Sequence, residues 1–200
     1  MQKIAVFGGT FNPIHNGHIH LAKQFAERIC ADKVLLIPTC QPPHKQAPDL
    51  APGWDRFQMC RLAANEDTFE ACGLEIARTG KSYTSDTLLA LKEMVPDSEL
   101  YLITGEDMFL TLEEWHEPET IYRLAVLCAA PRSTHGIAPL LEYAHILEQK
   151  GAKTRIENIE YLPISSTMVR DAVKSGQSIE QLVPPLVAEY IAKNKLYLGR

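Results

Sequence analysis

The chain has 200 residues, 46% of them hydrophobic, and a formal net charge of -5 with an isoelectric point near 5.8. That length and apolar content suit one large globular domain or two small ones, and we expect a single domain over 1–200. The acidic balance, with no run of about five or six like charges, argues against a nucleic-acid partner held by overall basicity. The five cysteines, at 30, 40, 60, 72 and 128, show neither Cys-x-x-Cys nor histidine-linked zinc spacing and read as reduced, mostly structural thiols. With no signal-like leader and no stretch of about 18 apolar residues, neither a membrane partner nor export is expected, and the location implied is cytoplasmic.

The predicted elements alternate from the start. "KIAVF" reads as a buried strand, followed by the turn "GGTFNPIHNGH" and a helix from Ile19 to Ile29. "KVLLIP" is a second strand, and after it "IPTCQPPHKQAPDLAPG" is the longest irregular stretch, of a length that in a compact domain is usually functional. A helix from Arg56 to Ala64, a strand "GLEIAR", a helix from Thr87 to Met94, and strands "ELYLIT" and "LAVLCAA" follow. A last strand near "TRIENIEYL" leads into "ISSTMVRDAV", whose hydroxyl residues suit a helix N-cap, and "PPLVAEYIAKNKLY" closes the chain as a helix entered through proline. No internal repeat, low-complexity segment or oligomer interface stands out. The alternation predicts an α/β fold with a doubly wound, mostly parallel sheet and a C-terminal helical segment at about 164–200. In such sheets ligands gather at the carboxyl ends of strands where the winding reverses. Gly8–His18, Pro38–Lys45, "GED" and Arg132 all fall at strand ends.

The glycine turn fits neither Gly-x-Gly-x-x-Gly nor the P-loop pattern. What it offers is backbone N–H groups at a helix N-terminus, with His15 and His18 three residues apart and able to share one side of the first turn. That arrangement suits a polyphosphate. A zinc site on His15, His18 and His20 is disfavoured, because 18 and 20 diverge on a helix and no nearby acid or thiol completes a ligand set. For "ISSTMVR" an ordinary helix cap is the plainer reading of the segment by itself, yet its helix start and Arg170 one turn on could also hold phosphate.

"GTFNPIHNGH" resembles the His-x-Gly-His motif of the nucleotidyltransferase superfamily, and "FNPIHNGH" its nicotinate-nucleotide adenylyltransferase branch. "IPTCQPPHK", "SYTSDTL", "TGEDMFLTLEEW" and "ISSTMVR" are similar to that branch's later landmarks, so the resemblance covers most of the chain. It implies a Rossmann-like nucleotidyltransferase fold and adenylyl transfer from ATP to nicotinate mononucleotide, giving the deamido dinucleotide and pyrophosphate. It places Gly8, Gly9, Thr10, Phe11, His15, His18, Ser165, Ser166, Thr167 and Arg170 at ATP, with His18 at the reacting α-phosphate and Lys45 as a bridging cation. On the acceptor side it implies Asp107 at the ribose hydroxyls, Trp115 stacked on the pyridine ring, backbone N–H groups near Thr84 and His116 at the nicotinate carboxylate, and Arg132 at the mononucleotide. Mg²⁺ is expected to arrive with ATP, since no dedicated protein metal site is visible. The chain departs from the pattern at Glu106, where a small residue is usual, and at Ser133 and Thr134 after Arg132. The alternatives are transfer to nicotinamide mononucleotide or phosphopantetheine, or a nucleotide sensor without turnover.

Overall fold

The continuous apolar runs of the sequence become strands covered on both faces, as parallel sheets require. In the computed structural model, which describes residues 1–41, 49–78, 80–132 and 136–199, β1 (Gln2–Gly9) buries Ile4 to Phe7 without interruption. Strand β2 (Lys33–Pro38) buries every residue after Lys33. The strands β3 (Phe69–Ala71), β4 (Ser98–Gly105), β5 (Ala125–Ala130) and β6 (Lys153–Ile156) complete a six-stranded sheet of order β3-β2-β1-β4-β5-β6. Parallel pairing sets Phe7 opposite Ile103, Gly105 opposite Ala130 and Cys128 opposite Arg155. The order reverses at β1 and β4, as in doubly wound sheets generally. Gly8 and Gly9 end the first of these strands, and Gly105 ends the second and leads to Glu106 and Asp107.

Helices fill the crossovers. The first, α1 (Asn16–Ile29), buries Ala22, Phe25 and Ile29 at helical spacing. It is followed by α2 (Gly53–Ala63), α3 (Thr84–Met94), the four-residue α4 (Glu106–Phe109), a 3-10 turn at Leu112–Glu114 and α5 (Pro118–Leu124). The closing helices are α6 (Ala138–Gln149), α7 (Ser166–Lys174) and α8 (Pro185–Lys193), the last with proline in its first turn as expected. No described helix is long and apolar enough to cross a membrane.

Three expectations are corrected. "GLEIAR" is not a strand: Ala77 N–H bonds the Gly73 carbonyl at 3.0 Å and Arg78 N–H that of Glu75 at 3.2 Å, so the segment turns, and the strand is the shorter Phe69–Ala71 just before it. Strand β6 stops at Ile156 instead of running through Leu162. Helices α1, α2 and α3 each start three residues before the predicted Ile19, Arg56 and Thr87.

Two compact units emerge from the packing. The first comprises Met1–Gly8, Leu21–Leu35 and Tyr83–Tyr161; the second comprises Gly9–His20, Leu36–Ser82 and Leu162–Arg200. All five cysteines are free, and burial pushes the Cys128 thiol up to about 12, a poor nucleophile consistent with a structural role.

Candidate active site

The second unit holds the turn that follows β1. Gly9 hands its carbonyl to Thr39 N–H at 2.9 Å, and the chain then passes through Phe11, buried and left-handed at φ 46°. A bulky residue in that region is strained, and such strain persists only where surrounding contacts over-determine it. The Phe11 ring meets the His18 ring edge-on, with centroids 5.1 Å apart, and His18 stacks on His15 with centroids at 3.6 Å and planes 26° apart.

The two imidazoles cap each other's backbone. His15 N–H donates to His18 Nδ1 at 3.3 Å, and His18 N–H donates to the His15 carbonyl at 2.9 Å with His15 Nδ1 a further acceptor at 3.4 Å. A ring nitrogen that accepts carries no proton, so this geometry matches imidazoles with hydrogen on Nε2, a group able to donate. Glycine at 17 spares the pair crowding, because a Cβ there would lie 3.1 Å from His15 Nδ1. Asn16 anchors the helix start, donating its N–H to Leu182 O at 2.9 Å and its amide to Gln181 O at 3.1 Å. His20, although on the same helix, joins no metal-competent cluster among the described residues.

Asn12, 5% exposed, joins three further segments. Its Oδ1 accepts from Ala51 N–H at 3.0 Å and from the Tyr197 hydroxyl at 2.9 Å, its amide donates to Asp49 O at 3.0 Å, and its carbonyl accepts from Arg170 Nη1 at 2.8 Å. Burial pushes the Tyr197 phenol well above its usual range, which keeps it a donor. Ser165 caps α7 by accepting Met168 N–H at 3.2 Å, and Ser166 spends its hydroxyl on Pro13 O at 2.9 Å. Thr167 accepts from Arg170 Nη2 at 3.2 Å, while Arg170 Nε is buried without a partner among the described residues. Thr10, Phe11, His15, His18, Ser165, Ser166, Thr167 and Arg170 thus belong to one hydrogen-bonded and packed neighbourhood. Lys45 lies outside the described residues. Asn12, Tyr197 and Arg56 were not singled out from the sequence, and Arg56 donates to the Thr10 carbonyl at 2.7 Å.

The first unit holds the residues expected at the acceptor. Glu106, 6% exposed, takes the Arg132 N–H on Oε2 at 2.5 Å, which ties the exit of β5 to the exit of β4. The Arg132 guanidinium sits 5.2 Å over the Tyr161 ring, donates to the Tyr161 hydroxyl at 3.3 Å, and lies 3.9 Å from Asp107 Oδ2. The departure at Glu106 therefore has a structural task. Thr84 opens α3, whose N-cap Tyr83 makes no side-chain cap, and the Tyr83 ring lies 4.2 Å from that of His116. Trp115, half-buried, follows the 3-10 turn and bonds Thr111 Oγ1 through Nε1 at 3.4 Å. The structure so brings the start of α3 to the Trp115–His116 segment and Asp107 to Arg132. Ser133 and Thr134 lie outside the described residues.

Residues 6–172 match the cytidylyltransferase-like family. The chain is 39% identical over 197 residues to a "probable nicotinate-nucleotide adenylyltransferase" of Dehalococcoides mccartyi, covering 98% of this chain and 97% of that protein. It is 40% identical to a protein of the same name from a Synechococcus strain, covering 98% of each. Among solved structures, the nicotinic acid mononucleotide adenylyltransferase of Plasmodium falciparum complexed with NaAD aligns with a TM-score of 0.80 at 21% identity, over 100% of this chain and 99% of that one, a likeness of fold.

Proposed function

Because this chain belongs to the cytidylyltransferase-like family, and within it to the nicotinate-nucleotide adenylyltransferases, we propose that it transfers the adenylyl group of ATP to nicotinate mononucleotide. An oxygen of the mononucleotide phosphate attacks the α-phosphorus, the bond from that phosphorus to the bridging oxygen breaks, and pyrophosphate leaves with the electron pair. The products are nicotinate adenine dinucleotide and pyrophosphate, a step of NAD biosynthesis. The attacking group is already an anion, so no protein nucleophile or base is needed, and catalysis reduces to alignment and charge stabilisation.

The observation that carries this reading is the stacked His15–His18 pair at the start of α1, which holds two Nε2–H donors side by side. Donors fixed before substrate arrives stabilise a phosphate whose charge shifts during reaction without reorganising. His18 takes the α-phosphate and His15 its neighbour; Gly8, Gly9, Thr10 and Phe11 line the turn; and Ser165, Ser166, Thr167 and Arg170 bind the far phosphates at the start of α7. Lys45 bridges the two anions. On the acceptor side Asp107 accepts from ribose hydroxyls, Trp115 stacks on the pyridine, backbone N–H groups near Thr84 and His116 receive the carboxylate, and Arg132 adds positive charge. Magnesium enters as part of the Mg·ATP substrate. The free thiols suit a cytoplasmic location.

Product analysis tests the reaction. ATP is expected to disappear only when the mononucleotide is present, one dinucleotide and one pyrophosphate appearing per ATP. ATP binding without turnover under any acceptor would replace the enzyme with a sensor.

A further inference from the structure

Arg56 heads the largest fully buried side chains at 1% exposure, and it belongs to no recognised motif. Arginine is almost never buried so completely unless its donors are matched. Here they are matched by carbonyls of three separate segments: Nε donates to Ala51 O at 3.0 Å, Nη1 to Thr10 O at 2.7 Å and Nη2 to Cys40 O at 3.1 Å. Glu75, also buried, acts on the guanidinium through space. Burying this charge is costly, and a fold that only had to fill the volume would use leucine or methionine.

The segments that Arg56 grips carry the chemistry. Thr10 lies inside the glycine turn, and Cys40 follows β2 at the head of the proline-rich stretch. Two residues beyond Thr10, Arg170 holds the Asn12 carbonyl at 2.8 Å, so two arginines bracket the left-handed Phe11. A peptide unit is planar, so fixing the Thr10 carbonyl fixes the whole plane that enters Phe11. Three divergent bonds from one rigid plane suit a guanidinium; a lysine ammonium has one nitrogen and cannot span them.

We propose that Arg56 is a positioning residue for adenylyl transfer, holding the glycine turn and the exit of β2 in the arrangement that receives the triphosphate without itself touching substrate. This rests on the reading that Gly8–His18 binds the phosphates of ATP.

The test compares the wild type with Arg56→Lys and Arg56→Ala, measuring melting temperature with and without ATP, kcat, and KM for each substrate. Both variants are expected to raise the KM for ATP or lower kcat by about tenfold or more while leaving the KM for the mononucleotide within about twofold. Added guanidinium is expected to return part of the lost activity to Arg56→Ala and none to Arg56→Lys. Variants that melt earlier but keep wild-type kcat and KM would reduce Arg56 to a packing residue and overturn the proposal. If neither variant folds, a crystal structure of the wild type with a non-hydrolysable ATP analogue decides: Arg56 must still hold the Thr10 and Cys40 carbonyls, and a turn that lifts off it on binding overturns the role. Wild-type protein that neither binds nor consumes ATP would sink the underlying reading, an outcome distinct from normal wild-type turnover with unaffected variants.

Discussion

The candidate residues of the second unit are committed before any substrate arrives, whereas those of the first are held loosely. Asn12, Arg56, Arg170 and Ser166 each place polar atoms on backbone partners from other parts of the chain, while the two histidines meet each other's backbone within one turn. In the first unit the Asp107 side chain is 86% exposed, and His116 and Arg132 are about half so; among its candidates only Glu106 is buried against a backbone partner. Rigid donors lower the reorganisation needed as charge moves in a reaction, and exposed side chains lose entropy when they close on a ligand. On the proposed reading, this contrast matches chemistry in the second unit and acceptor binding in the first.

The largest effect expected from breaking that assignment is in His18→Ala. Loss of one preorganised donor is expected to lower kcat by about 10²–10³ with a much smaller change in ATP affinity, read by steady-state kinetics and equilibrium binding. An equal loss in both would leave His18 a binding residue only. Next comes Asn12→Ala, which strands the Ala51 N–H and the buried Tyr197 hydroxyl and is expected to cost about 1–3 kcal/mol in denaturant unfolding, along with catalytic efficiency toward ATP. Asp107→Ala is expected to leave stability unchanged and raise only the KM for the mononucleotide; a comparable loss of stability in both would erase the difference between the units.

How much of this could be read in advance depends on the distance between partners. His15, Gly17 and His18 act on one another within one helical turn, so the motif was complete in four consecutive letters. Arg56 works through carbonyls, one of them 46 residues away, and Tyr197 reaches Asn12 across 185 residues. A carbonyl leaves no complementary residue type to notice. The long apolar strands were legible for the same local reason, while β3, three residues long, is shorter than any periodic pattern, and the neighbouring "GLEIAR" offered a better imitation of one. Helix α6 is absent from the elements expected from the sequence, although the structure buries its Leu140, Ala144 and Leu147 at helical spacing.

Two smaller effects sharpen the comparison. Trp115→Ala is expected to raise the mononucleotide KM by about three- to tenfold with kcat unchanged, since stacking stabilises ground and transition states alike; an unchanged KM would remove Trp115 from the acceptor side. The smallest concerns acid stability. Lys174 holds the Asp49 carboxyl below its usual 3.8, and Lys150 holds that of Glu113 below 4.5. A carboxylate with a depressed pKa adds stability above its unfolded value and loses it as pH falls through the lower folded value. Lys174→Met and Lys150→Met should therefore melt slightly earlier than wild type at neutral pH and converge with it below about pH 3, the gap staying small because none of the four groups is buried. A gap that widened on acidification would contradict these pairings.

The most direct test of the account is Mg²⁺-dependent pyrophosphate release from ATP with nicotinate mononucleotide, nicotinamide mononucleotide and phosphopantetheine compared under identical conditions. The account predicts release that is strongest with the nicotinate substrate. Preference for either other acceptor would contradict the assignment of Thr84, Trp115 and His116 to a pyridine carboxylate, and no release with any of the three would contradict adenylyl transfer itself.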